Sequence, residues 1–202
     1  MNTLESERQI YATDGNYFLC PIIEKDREHF VNLQIQTKGR TTLFLNPHFK
    51  DIMWNQVLQG KDKTFSILDI HGNYYGTIEL RNLSGKTPEI GIALMEEYQN
   101  KGLAYKVIKM LIKETCSKRE IDYFLIRILS RNSHSKHAFE KMGAIFIRQE
   151  SSFFTTFMNE FNKITKNLDR IKEKDKIIKQ MQNLIVEEEI IYQYILLPEL
   201  FI

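Results

Sequence analysis

The residues whose types and spacing could do chemistry concentrate in one stretch, Gln99-Asn100-Lys101-Gly102-Leu103-Ala104. It follows an apolar run, Glu89-Ile90-Gly91-Ile92-Ala93-Leu94-Met95, and leads into an amphipathic one, Tyr105-Lys106-Val107-Ile108-Lys109-Met110-Leu111-Ile112. Strand, short polar loop, glycine, helix: this order builds an anion site. The first amides of a helix have no internal partners, and the helix dipole favours negative charge there. Gly102 has no Cβ to block a ligand's approach to the backbone. Lys101 adds a mobile positive charge. A phosphate or pyrophosphate is the natural guest. The stretch lacks the Gly-Lys-Ser/Thr ending of a Walker loop and the three spaced glycines of the dinucleotide fingerprint.

These residues need elements to hold them. Asp14-Gly15 lies between two β-rich runs, residues 8–13 and 16–23, and predicts a hairpin in which both turn positions have positive φ. Pro21 fits an edge or a strand end. A helix is expected over 24–36, with Phe30, Leu33 and Val31 on its apolar face. Asn46-Pro47 is a helix start signal. That helix should run to Gln59, turn Phe49, Ile52, Met53, Val57 and Leu58 inward, and end at Gly60. Strands are expected over 63–70 and 74–80 around His71-Gly72-Asn73. Residues 88–95 are apolar at nearly every position, as in a central strand buried on both faces. The helix 102–118, the strand 122–129, the helix 133–142 ended by Gly143 and the strand 144–148 follow. Residues 154–186 hold no Pro or Gly and carry Ile164, Leu168, Ile171, Ile178 and Ile185 on a three-four spacing, which predicts one long coiled-coil-like helix. A strong strand, 190–197, closes the chain.

A second segment resembles a known signature. Asn132-Ser133-His134-Ser135, followed by a helix and Lys141-Met142-Gly143-Ala144, is similar to the Asn-x-x-Ser segment of the GNAT superfamily of acyl-CoA-dependent N-acetyltransferases. Gln99, Gly102 and Ala104 match that superfamily's Gln/Arg-x-x-Gly-x-Gly/Ala loop. The closing Lys-x-Gly-Ala is similar to the ribosomal-protein alanine acetyltransferase branch. The resemblance covers about residues 16–150 plus the last strand, 188–197. It implies an α/β (α+β) fold: a mixed, mostly antiparallel sheet flanked by helices, here with a long helix inserted before the last strand. It implies a single domain over 1–202, its core about 8–150 plus 188–197, with 154–186 as the insertion.

The donor substrate implied is acetyl-CoA, with no metal. Its pyrophosphate would sit on the amides of Gln99, Asn100, Lys101, Gly102, Leu103 and Ala104. Its pantetheine arm would lie beside Ile92, Ala93 and Leu94, and an amide near Leu94 would stabilise the oxyanion. Asn132 would hold the pantetheine or the attacking amine, with Ser135 and Lys136 near the donor. An alkyl ammonium has a pKa of roughly 10 and must lose a proton before attack. Glu89 is the first candidate base and Glu79 the second. The family's usual tyrosine acid falls at Phe139, which has no proton to give. Ser135, a water or unassisted thiolate release would replace it.

Composition limits the alternatives. A net charge of +2 gives no dominant basic field and argues against nucleic acid as the main partner. Cys20 and Cys116 lie far apart in apolar contexts and read as free thiols. No ligand-spaced Cys/His cluster suggests a metal, and no run is long enough to span a membrane. The expected setting is therefore cytoplasmic. The expected acceptor is a primary amine, either a protein N-terminus or a small molecule, walled by residues 30–59 and the insertion. The stripe on 154–186 would pack on the helix 47–59 or, as expected here, on a second copy in a homodimer. The alternative function is a non-catalytic acyl-CoA-binding or assembly module on the same fold.

Overall fold

The computed structural model describes residues 8–38, 46–151 and 190–202. They form two compact units, one reaching to Ile126 and including Leu196–Ile202, the other Arg127–Ile195. The helix expected over 154–186, and the self-association argued from it, lie outside the described residues.

The first unit opens with strands β1 (Ala12–Thr13) and β2 (Tyr17–Pro21) and a 3-10 turn (Glu24–Asp26). Helices α1 (Arg27–Lys38) and α2 (Pro47–Gln59) follow, then strands β3 (Lys63–Asp69), β4 (Tyr74–Arg81) and β5 (Glu89–Leu94). Helix α3 (Leu103–Lys118) leads to β6 (Phe124–Leu129), which runs on into the second unit. The strands lie in the order β1-β2-β3-β4-β5-β6. Neighbours are antiparallel up to β5, and β5 pairs with β6 in parallel.

The hairpin forms, but its turn sits one residue later than Asp14-Gly15 suggests. Thr13 pairs with Phe18, and Asp14 N donates to Tyr17 O, so Gly15 and Asn16 are the central pair. Only Gly15 has positive φ, at 88°. Asp14 instead accepts the amides of Asn16 and Tyr17 on Oδ1, an Asx turn. The regular part of the first strand is confined to Ala12–Thr13, and Pro21 stands at the end of β2 as expected.

One side of this sheet lies under α1. Phe18, Cys20, Leu33, Leu68 and Tyr74 form a cluster there, with Ile10, Ala93 and Met95 against it. The other side lies under α3, where Tyr11 stacks on Phe65 at 4.3 Å and its hydroxyl meets Thr115 Oγ1 at 3.1 Å. Helix α2 starts as its sequence predicts: Asn46 Oδ1 caps the amide of His48. Its buried anchors are Phe49 and Trp54, and Leu58 is exposed rather than inward. Trp54 does what an apolar stripe at position 58 cannot. Its ring meets Phe30 at 5.7 Å and its Nε1 donates to Glu24 Oε2 at 2.7 Å.

Buried Asp26 ties the N-terminal segment down. It accepts from Arg8 at 2.8 and 2.5 Å, from Ser66 Oγ at 2.7 Å and from Ile23 N at 3.1 Å. Burial alone would raise its pKa, but these donors outweigh burial and hold the carboxyl below the usual range.

The second unit holds α4 (Ser133–Lys141), β7 (Ile145–Ser151) and β8 (Ile190–Leu196), the strands being antiparallel. Gly143, at φ 90°, ends α4. Phe146 meets Tyr192 and Tyr194 edge-on, and Tyr194 Oη donates to Glu140 Oε1 at 3.0 Å. Both cysteines are free, Cys20 buried and Cys116 half-buried. Among the described residues, no helix is long and apolar enough to cross a membrane and no acid, His and Cys group could hold a metal.

Candidate active site

The loop before α3 differs from the starts of α2 and α4. Helices α2 and α4 each have an asparagine side chain on a first-turn amide. The 16-residue α3 has Gly102 as its N-cap, no side-chain cap and no acidic residue in its first turn. Its first amides are therefore left to an external acceptor. Asn100 and Gly102 both adopt left-handed backbone, φ 60° and 75°, the local reversal that turns successive amides into an anion-binding nest. A Cβ on Gly102 would meet no protein atom within 4 Å. The glycine is thus favoured by φ and not by packing, and the space before it is open to a ligand.

The loop residues divide their work. Leu103 is buried, so its side chain anchors the helix and only its amide faces the loop. Gln99 Nε2 donates to Leu94 O at 2.9 Å and ties the loop to the end of β5. Lys101 and Asn100 are exposed, and Ala104 is half-buried.

Register decides what β5 offers. Met95 N donates to Tyr75 O, and the ladder continues Gly76↔Leu94, Thr77↔Ala93, Ile78↔Ile92. Hydrogen-bonded and non-bonded pairs alternate in an antiparallel ladder. The main-chain groups of Ala93 and Gly91 therefore point to β4, and those of Leu94, Ile92 and Ile90 point away from it. Two bonds agree with this: Leu94 O takes Gln99, and Pro88 O takes Leu125 N at 2.9 Å. Among the described residues β5 meets β6 at one register position, Glu89↔Leu125. Further along, Ile92 N–H and C=O and Leu94 N–H have no ladder partner among the described residues, an edge into which an extended amide chain would fit. Of the three residues predicted to line such a chain, Ile92 and Leu94 offer main-chain bonds, whereas Ala93 is spent on β4.

The carboxylates lie on the α1 side of the same two strands. Arg81 faces Glu89, and Glu79 faces Gly91. The Arg81 guanidinium bridges both acids: Nε and Nη2 donate to Glu79 Oε2 at 2.8 and 2.6 Å, and Nη1 to Glu89 Oε1 at 2.8 Å. A Cβ on Gly91 would stand 2.8 Å from Arg81 Nη2, so this glycine makes the hollow in which the guanidinium lies. Burial would lower the Arg81 pKa, but the two carboxylates raise it, and the group stays charged. The side chain of Glu89 is 2% exposed and that of Glu79 21%. Of the two, Glu79 is the carboxylate that solvent reaches.

Asn132, Ser135 and Lys136 belong to the second unit. Asn132 Oδ1 accepts Ser135 N at 3.0 Å and caps α4, and Lys136 Nζ stands over the Tyr192 ring at 5.3 Å. Phe139 is buried and brings no hydroxyl. The sequence reading missed Arg81, whose signal is the Glu-x-Arg alternation that puts both charges on one strand face. It also missed Gln34 and Tyr74, buried polar side chains on the α1 side.

A family model described as an acetyltransferase (GNAT) domain matches residues 18–145. No sequence among the curated proteins matches the chain. A mutant of the spermidine N-acetyltransferase SpeG from Vibrio cholerae is similar in fold: TM-score 0.63, 13% identity, covering 94% of this chain and 98% of that one. An acetyl transferase from Salmonella typhimurium that modifies the N-terminal serine of 50S ribosomal subunit protein L7/L12 gives TM-score 0.62 at 12% identity, covering 94% and 99%. RimL, a ribosomal L7/L12 alpha-N-protein acetyltransferase in complex with coenzyme A, gives TM-score 0.62 at 12% identity, covering 94% and 98%.

Proposed function

The chain belongs to the acetyltransferase (GNAT) domain family, and from that premise we propose that it transfers the acetyl group of acetyl-CoA to a primary amine. One observation carries the reading: the uncapped, acid-free N-terminus of α3 opens beside the unpaired edge of β5. The residues fit the donor. The amides of residues 102–105 and Lys101 would take its pyrophosphate, and Ile92 and Leu94 its pantetheine amides.

The amine attacks from the α1 side. Its nitrogen bonds to the acetyl carbon, the carbon–sulfur bond breaks, and the thiolate leaves. The proton shed by the amine passes to solvent through Glu79, the carboxylate that water reaches. Glu89, closed in behind Arg81, holds the guanidinium in place. Positioning supplies much of the rate in such a direct transfer. The acceptor is a peptide N-terminus or a small amine, the two classes that the RimL and SpeG relatives are named for.

The test is thiol release from acetyl-CoA over a panel of amines and N-terminal peptides, run beside thermal shift with CoA. Turnover of any amine supports the reading. A CoA shift without turnover would favour a non-catalytic acyl-CoA-binding module. No shift at all overturns both.

A further inference from the structure

A groove of about 470 Å³ opens between the tip of the first hairpin and the outer flank of α3. Residues 12–14 form one wall and α3 the other, and three lysines, Lys106, Lys109 and Lys113, line it. They stand at i, i+3 and i+7, on one face of the helix, while Val107, Ile108 and Leu111 of the other face are buried. The chain's net charge is only +2, so this row is a local concentration of charge and not a result of composition.

Two acids share the groove, and each is engaged elsewhere. Asp14 Oδ1 accepts the amides of Asn16 and Tyr17 at 3.0 and 2.8 Å. Glu114 Oε1 meets Lys118 Nζ at 2.6 Å. Lys106 Nζ lies over the Tyr17 ring at 5.7 Å. Among the described residues, Lys109 and Lys113 enter no ion pair. They are also four residues apart, the spacing at which like charges destabilise a helix. Glu114 and Lys118 show the compensated form of the same spacing on the same helix. A like-charge pair kept on the wall of a concave site is relieved by an anion bound between its members.

We propose that this groove binds a small, multiply charged anion of the polyphosphate class. Its volume is that of a small-molecule site. Lys106 to Lys113 covers about 10 Å of helix, so a single phosphate meets part of the row and a chain of phosphates meets all of it. The site is distinct from the one proposed for the acyl donor. It opens at β1, four strand spacings (about 19 Å) across the sheet from β5. Lys106 is one turn beyond Gly102, so Lys109 and Lys113 are the residues that separate the two sites.

Inorganic tripolyphosphate is titrated calorimetrically into wild type, into Lys109→Gln/Lys113→Gln and into a control pair of exposed lysines outside the groove, Lys61→Gln/Lys63→Gln, each with and without saturating CoA. Wild type and control should bind it with CoA present, and the groove variant at least about tenfold more weakly. The variant's melting temperature should be unchanged or higher, and its CoA-induced thermal shift unchanged. No binding by wild type in the presence of CoA overturns the second site. So does an equal loss in the control pair, which would mark diffuse attraction by surface charge. A CoA shift lost along with tripolyphosphate binding in the groove variant gives the groove to the donor and overturns it too. Binding of a hexaglutamate peptide but not of tripolyphosphate overturns the small-anion assignment in favour of a protein partner. If the double variant does not fold, Lys113→Gln alone, at an exposed position, decides by the same readouts. If wild type shows no CoA shift, the acetyltransferase reading falls alone, and the titration without CoA still tests the groove.

Discussion

Gly102→Ala separates the backbone's need for glycine from the ligand's. Gly102 sits at φ 75°, where an L-residue is strained by about 1–2 kcal/mol. No protein atom lies within 4 Å of the new Cβ, so no packing cost is added. For a chain of this size the free protein should melt roughly 2–8 °C lower. The ligand loses more. A methyl on the anion's side of the loop pushes a phosphate off the amides. Charge-assisted hydrogen bonds are worth about 1.5–3 kcal/mol each, so losing one weakens CoA roughly 30-fold. In wild type, CoA at 100 times its Kd stabilises the fold by about 2.7 kcal/mol. At the same concentration the variant should gain about 0.9 kcal/mol by that relation.

The assay is a melting curve with and without CoA on both proteins. The separation of two effects is what makes it informative. Strain lowers both of the variant's curves together, whereas blocked approach shrinks the gap between them. A variant whose curve drops but whose CoA gap equals that of wild type would refute the loop as the donor site. Alanine serves better here than valine, because a β-branched residue at positive φ is a severe outlier and could unfold the loop outright.

Three further outcomes follow from the same contacts. Glu79→Gln should lower the rate of amine acetylation roughly tenfold or more and leave the CoA shift intact, as read from thiol release beside thermal shift. Arg8→Met leaves the buried Asp26 carboxylate without its guanidinium and should cost about 3–5 kcal/mol at neutral pH. Because the Asp26 pKa is depressed in the fold, the lost stability is present above the unfolded value of about 3.9 and vanishes below it. The melting gap to wild type should therefore hold down to about pH 4 and narrow as pH falls below it through the depressed folded value, and a gap independent of pH would contradict the ion pair. Asn132→Ala removes the cap on Ser135 N and should destabilise the fold by about 1 kcal/mol in denaturant titration.

Local signals carried the donor side. Apolar run, polar loop, glycine and amphipathic helix lie within 30 residues, and in the proposed donor site the backbone itself would do the binding. Gly102 and the absence of a capping side chain can be read from letters alone. Asn46-Pro47 and Asn132 were legible for the same reason, since a cap acts on amides two or three residues away. The hairpin turn was read one residue early because Asp14 works through its side chain, while Gly15 alone supplies positive φ. Trp54 replaced Leu58 as an anchor of α2 because its indole reaches Glu24, a tertiary contact that helical spacing does not encode.

The α1 side of the sheet is less legible for a geometric reason. Its residues come from α1, β4 and β5, and each looks ordinary in its own segment. Tyr74 is the sharpest case. Strict alternation along β4 puts it on the face of Ile78 and Leu80, away from Thr77 and Glu79. The ladder shifts register between Ile67 and Leu68: Ile67 pairs with Gly76 but Leu68 with Tyr74, which leaves Tyr75 as the extra residue. That single bulge turns the Tyr74 ring to the α1 side, beside Ala93 and Met95. A loop that recognises phosphate through amides leaves a motif, because only glycine and helix geometry will do. A polar side chain turned by a strand bulge leaves none, because many residue choices fill such a position. The phosphate site proposed for the donor was legible in six residues, while the setting of Tyr74 requires the register of three strands.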